Sequence, residues 1–119
     1  KDIRAGLERL IEKNCCFVFT VTSFPHPIQR ALRIVEKDRV EMFNSDFFDM
    51  RTQDLEEAYH DAGQFYWGKS KAFLDNVMTF SRDSSPLILP QYRVQDIDTE
   101  EDWERAEIMC KAMQLNQEI

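Results

Sequence analysis

Glycine is the scarcest structural resource of this chain: Gly6, Gly63 and Gly68 are the only three in 119 residues. Neither a Walker-type loop nor a GxGxxG fingerprint can be built from them, so the chain has no phosphate-cradling glycine loop of its own. Only two histidines occur, His26 and His60, and they specify no histidine-based metal site. His26 stands between prolines and has a loop ligand as one reading and plain packing or exposure as the other. No GxSxG elbow is present. The three cysteines, Cys15, Cys16 and Cys110, are odd in number and lack CxxC spacing, which argues against a disulfide framework or zinc site. Buried free thiols in a reducing cytoplasm are the expectation, with Cys15 and Cys16 on opposite faces of a strand. No apolar run approaches the roughly 20 residues of a membrane span, and the opening KDIRAGLERL reads as an amphipathic helix, not a signal peptide. The net charge of −7 disfavours nucleic acid, which needs a basic face.

What is present reads as one small α/β domain over residues 1–119, cytoplasmic and with a real core. The chain starts at Lys1 with no initiating Met, which suggests a removed tag or a piece of a longer polypeptide. Ile3, Leu7, Leu10 and Ile11 recur at helical spacing, predicting a helix over 2–13 that ends near Asn14. CCFVFTVT, 15–22, has the composition of a strand buried on both faces of a parallel sheet. SFPHP breaks it. Ala31–Val35 and Val40–Phe43 read as a hairpin turning at Glu36–Arg39. Phe43, Phe47 and Phe48 among polar neighbours suggest an interface, because a small domain has little room to bury them. The stretch 44–63 reads as irregular, with one helical turn.

GQFYWG predicts a strand over 63–68, and Lys69–Val77 a short helix. SRDSSP, 81–86, is a loop by composition, and LILPQY and VQDI follow as short strands. Thr99 caps a final helix whose first turn is acidic. Trp103, Ala106, Cys110 and Met113 form its predicted inward stripe.

The pair with the most chemical content is Asp96 and Asp98. On a strand they would share a face with roughly 6.5–7 Å between Cα atoms. Two carboxylates that close repel unless a cation lies between them, and Mg²⁺ suits one or two carboxylates completed by water and phosphate oxygens. The plainer alternative has one aspartate capping the helix and the other facing solvent. Arg30, Arg33 and Arg51 could meet a carboxylate or phosphate, with surface solvation as their default. Tyr66, Trp67 and Phe80 read as core on general grounds.

Two blocks, RTQDLEEAYHDAGQFYW at 51–67 and VQDIDTEEDWERAE at 94–107, resemble the cytidylyltransferases that activate nonulosonic acids, the CMP-sialic acid synthetases. YHDAGQFYW and FPHPIQRAL point to the pseudaminic acid branch. The resemblance covers nearly the whole chain but only the C-terminal half of such an enzyme. It implies the C-terminal part of a nucleotide-diphospho-sugar-transferase-like (Rossmann-like) sheet, with a hairpin dimerisation element inserted at about 24–58. It implies that the full enzyme transfers CMP from CTP to the anomeric hydroxyl of pseudaminic or sialic acid and releases pyrophosphate. By the same resemblance Asp96 and Asp98 hold Mg²⁺, Tyr66 and Phe80 line the sugar pocket, and Arg51, Gln53 and Arg30 bind substrate, the arginines across a homodimer interface. Gln29 and Thr52 stand where many relatives carry lysine and arginine. Without the nucleotide loop, which the family carries in its N-terminal half, the isolated chain is expected to be inactive. The alternative function is a non-catalytic dimerisation or interaction module.

Overall fold

The computed structural model describes residues 1–117. It divides into two compact units, Lys1–Thr22 with Asp61 onward, and Ser23–His60.

In the first unit, α1 (Asp2–Lys13) stops at Asn14, whose left-handed backbone (φ 47°) closes the helix where the sequence predicts. The Asn14 side chain also accepts a 2.7 Å hydrogen bond from Lys69 Nζ. The strand that follows, β1 (Phe17–Ser23), is buried along almost its whole length, with Phe17, Val18 and Thr20 the largest fully enclosed side chains. The reason is position. β1 is the middle strand of a three-stranded sheet in the order β4–β1–β5, with β4 at Tyr59–Gly68 and β5 at Ser84–Ile88. β1 and β5 run parallel, Phe17 opposite Ser84 and Val21 opposite Ile88. A strand in that place is enclosed on both faces: Phe17, Phe19 and Val21 make one apolar, while the other carries Val18 with Thr20 and Thr22 as buried polar residues. Leu89 N–H continues the ladder to Val21 O at 2.8 Å, and Thr22 Oγ1 donates to Leu89 O at the same distance.

Two expectations change here. Cys15 and Cys16 precede β1, and both are half-buried, not enclosed; Cys110 is exposed. The serines and proline of 84–86 belong to β5 and not to a loop. Pro86 is tolerated because β5 is an edge strand, and Ser85 Oγ accepts from Arg9 Nε at 2.9 Å, tying α1 to that edge.

The predicted helix over 69–77 forms as α2 (Ser70–Leu74). Phe73 meets Phe17 edge-on, ring centroids 5.1 Å apart. Gly68 permits that approach: a Cβ there would lie 2.4 Å from the Phe73 ring and 2.6 Å from Phe17.

The last helix, α3 (Glu100–Gln117), is capped as expected by Thr99, whose Oγ1 accepts from Asp102 N–H at 3.2 Å. Its half-buried positions are Asp102, Ala106, Met109 and Met113, so the inward face lies beside the predicted one and leaves Trp103 and Cys110 exposed.

The second unit holds the predicted hairpin, β2 (Leu32–Val35) and β3 (Arg39–Met42), antiparallel with Leu32 opposite Met42 and Ile34 opposite Val40. Lys37 and Asp38 adopt positive φ in the turn. The irregular stretch beyond carries two 3-10 turns, Ser45–Phe47 and Thr52–Asp54. Among the described residues no helix is long and apolar enough to cross a membrane.

Candidate functional site

The first unit carries an aromatic cleft of about 530 Å³ lined by Phe17, Tyr66, Phe73, Met78, Thr79 and Phe80. Tyr66 comes from β4 and Phe80 from the turn before β5. Phe19 of β1 lies between them, 5.5 Å from the Tyr66 ring and 5.2 Å from Phe80. The strand period explains this grouping, since Phe17 and Phe19 share one face of β1. Tyr66 and Phe80, paired in the sequence only through resemblance, therefore occupy one cleft. Phe73 and Met78 were not anticipated in it.

Tyr66 has a dedicated partner. Its hydroxyl donates to Asp61 Oδ2, and Asp61 Oδ1 accepts Gly63 N–H at 3.0 Å. Gly63 has φ of 64°, open to glycine without strain, and the Asp-Ala-Gly order is the signature of such a side-chain-to-backbone turn. Burial, reinforced by the Asp61 hydrogen bond and charge, pushes the Tyr66 phenol up to about 12.

Asp96 and Asp98 stand in a different setting from the one predicted. Residues 94–97 form no strand; a 3-10 turn at Gln91–Arg93 leads into an extended stretch and then α3. The sequence VQDI has strand composition, but it serves as the lead-in to the helix cap. Neither aspartate caps that helix. Asp102 organises the segment instead: its Oδ2 accepts Asp98 N–H at 3.2 Å, Thr99 N–H at 3.0 Å and Thr99 Oγ1–H at 2.8 Å. The Thr99 hydroxyl and these N–H donors hold the Asp102 carboxyl below the usual carboxylate range. Thr99 and Asp102 thus form a reciprocal capping box. The Asp96 and Asp98 side chains are exposed, and no hydrogen bond or ion pair engages either carboxylate among the described residues. Those residues include no cluster of three or more acidic, cysteine or histidine groups placed to hold a metal. Two free carboxylates remain a donor set that suits Mg²⁺ when water and phosphate supply the other oxygens.

In the second unit, Arg30 donates to Thr52 Oγ1 at 3.2 Å and to Met50 O, so it braces the loop that carries Arg51 and Gln53. Arg51 Nε contacts Asp54 Oδ2 at 2.9 Å while its side chain stays 73% exposed. Gln53 is exposed, and Gln29 Nε2 donates to Glu56 O at 2.8 Å. Arg33 pairs with Glu41 across the hairpin at 2.8 Å.

No family model matches the chain. It is similar to the pseudaminic acid cytidylyltransferase of Campylobacter jejuni serotype O:2, 45% identical over 112 residues, which is 93% of this chain and 48% of that protein. A second, from serotype O:23/36, is 43% identical over 92% of the chain and 47% of its own length. A Helicobacter pylori protein named as both a pseudaminic acid cytidylyltransferase and a UDP-2,4-diacetamido-2,4,6-trideoxy-beta-L-altropyranose hydrolase is 38% identical over 82% of the chain and 19% of its length. The resemblance read from the two sequence blocks thus extends over nearly the whole chain, and the chain spans about half the length of the two Campylobacter relatives.

Proposed function

We propose that this chain is the C-terminal part of a cytidylyltransferase that activates pseudaminic acid or a closely related nonulosonic acid. The observation that carries the reading is 45% identity, over nearly the whole chain, to a protein of that activity. In the reaction the anomeric hydroxyl oxygen of the sugar attacks the α-phosphorus of CTP. The new bond joins that oxygen to phosphorus, the bond to the β-phosphate oxygen breaks, pyrophosphate leaves, and the hydroxyl proton passes to solvent or base.

Each part of the chain has a task in this reading. The aromatic cleft with Tyr66 and Phe80 receives the apolar side of the sugar. Asp96 and Asp98 hold Mg²⁺, which supplies positive charge for the phosphates. Arg51, Gln53 and Arg30 contact substrate, the arginines gripping the sugar carboxylate from the second copy of a homodimer. The fold is part of a nucleotide-diphospho-sugar-transferase-like sheet, working in the cytoplasm.

The homodimer reading draws support from the hairpin. Leu32, Ile34, Val40 and Met42 share one face, and Leu32, Ile34 and Val40 are 58%, 79% and 64% exposed. Arg33 and Glu41 occupy the other face. An isolated two-stranded hairpin is marginal in water, and an apolar face on one calls for a covering surface. A second copy meeting it about a two-fold axis supplies a self-complementary one.

The isolated chain is inactive in this reading, because the glycine-containing phosphate loop lies outside it. Incubation of the chain with CTP, Mg²⁺ and pseudaminic acid should release no pyrophosphate, and measurable CMP-sugar formation would refute that limit. The rival reading, a dimerisation module without catalysis, predicts that Asp96→Asn and Asp98→Asn leave the activity of the longer enzyme unchanged.

A further inference from the structure

We infer that Asp61 is a positioning residue that fixes the Tyr66 hydroxyl as a hydrogen-bond acceptor towards the aromatic cleft, so that the cleft selects a ligand group carrying an N–H or O–H donor. The inference rests on the proposed role of the cleft as a substrate site, and it adds which group the cleft reads there.

A phenol has one proton to donate, and a carboxylate can only accept. The Tyr66 proton is committed to Asp61 Oδ2, and Asp61 cannot turn away, because its other oxygen is held by Gly63 N–H at 3.0 Å. What remains on the Tyr66 oxygen is acceptor capacity. The other residues of the cleft wall are aromatic or apolar, apart from Thr79. A ligand donor such as an amide N–H is therefore satisfied there, while an acceptor-only group of the same size meets an oxygen that cannot donate to it. The raised ionisation of Tyr66 agrees with this, since the phenol keeps a proton to donate through the physiological range.

The test uses the 119-residue chain and two probes sized for an aromatic cleft, N-benzylacetamide, which has an amide N–H, and N-benzyl-N-methylacetamide, which does not. Binding is followed by NMR shifts of the Met78 methyl and Thr79 amide. The wild-type chain should bind the N–H probe roughly fivefold tighter, the worth of one hydrogen bond. Asp61→Ala should shrink that ratio to about one by freeing the Tyr66 proton to turn, and Tyr66→Phe should abolish it. Asp61→Asn should also bring the ratio near one, because the amide can donate to Tyr66 and turn its proton outward, where the carbonyl of either probe accepts it. A wild-type ratio near one overturns the inference while leaving the cytidylyltransferase reading intact. So does a ratio that survives Asp61→Ala, which would reduce Asp61 to a structural turn residue. Failure of both probes to shift either signal overturns the inference together with the substrate role of the cleft.

Discussion

Replacing Ile34 by alanine tests the hairpin as a dimer surface and separates it from the stability of the protomer. Ile34 lies opposite Val40 on the apolar face and is 79% exposed. Its side chain stabilises little in a lone protomer, so the melting temperature at low concentration should change by less than about 0.5 kcal/mol equivalent. In a two-fold dimer each copy buries this side chain against the other. Losing most of an isoleucine costs about 1.5 kcal/mol per copy, and symmetry places the change in the interface twice. The total of about 3 kcal/mol weakens the dimer roughly a hundredfold. Sedimentation equilibrium of wild type and variant over a wide concentration range measures it. Arg33→Ala is the control: Arg33 projects from the opposite face, pairs with Glu41 at 2.8 Å and covers the Phe43 ring at 5.0 Å. It should leave the dimer constant within a few-fold. A wild-type chain that stays monomeric at high concentration, or an Ile34→Ala dimer as tight as wild type, would refute the argument.

Gly68→Ala should destabilise the first unit by about 2 kcal/mol, because the added methyl meets Phe17, which is 1% exposed and cannot yield; urea titration measures it. Thr99→Ala should cost about 1 kcal/mol and fray the start of α3, read as lost helical circular dichroism. Asp2, held low by its hydrogen bond and charge pairing with Arg93, and Asp102, held low by the Thr99 hydroxyl, contribute stability that is present above their ordinary value of 3.8. That contribution is lost as pH falls through their lowered folded values, so denaturation midpoints should drop on acidification below about 4 and recover in Asp102→Asn by less than in wild type on return. At the alkaline end Tyr66 has its folded value raised from 10 to about 12, so its contribution is complete below 10 and lost as pH rises through 12; Tyr59, beside Glu57, is also raised, and the absorbance step near 12 should be the one missing in Tyr66→Phe.

Much of the architecture is legible where periodicity and local chemistry agree. The spacing of Ile3, Leu7 and Leu10 and the αL-tolerant Asn14 set both ends of α1. The run of aromatic and β-branched residues after Cys16 marks β1 as central, and Lys37–Asp38 turn the hairpin. Legibility fails where a neighbour decides. Ser84–Pro86 have loop composition, and only the edge of β1 makes them a strand. Val94–Ile97 have strand composition but no strand to pair with, and the Thr99–Asp102 box takes over the backbone at Asp98. The inward face of α3 misses Trp103 because one helical position rotates a stripe by 100°, and the partner surface, not the pattern, chooses between adjacent stripes.

The site divides in the same way. Tyr66 and Phe80 come together because Phe19 lies between them, a relation no local pattern contains. The Asp61–Gly63 turn was within reach of the sequence, since Asp-x-Gly inside a strand run signals a side-chain turn. Asp96 and Asp98 keep exposed carboxylates but lose the strand that was to align them, so the case for a shared cation rests on donor chemistry alone.

The most direct measurement is pyrophosphate release from CTP by the longer polypeptide that carries this chain, with pseudaminic acid and Mg²⁺, for wild type, Asp96→Asn and Asp98→Asn. The account predicts sugar-dependent turnover in wild type, and in each variant a loss of at least about a hundredfold, as expected for a displaced metal charge, with unchanged melting temperature. No sugar-dependent release from wild type, or full activity in both variants, would contradict it.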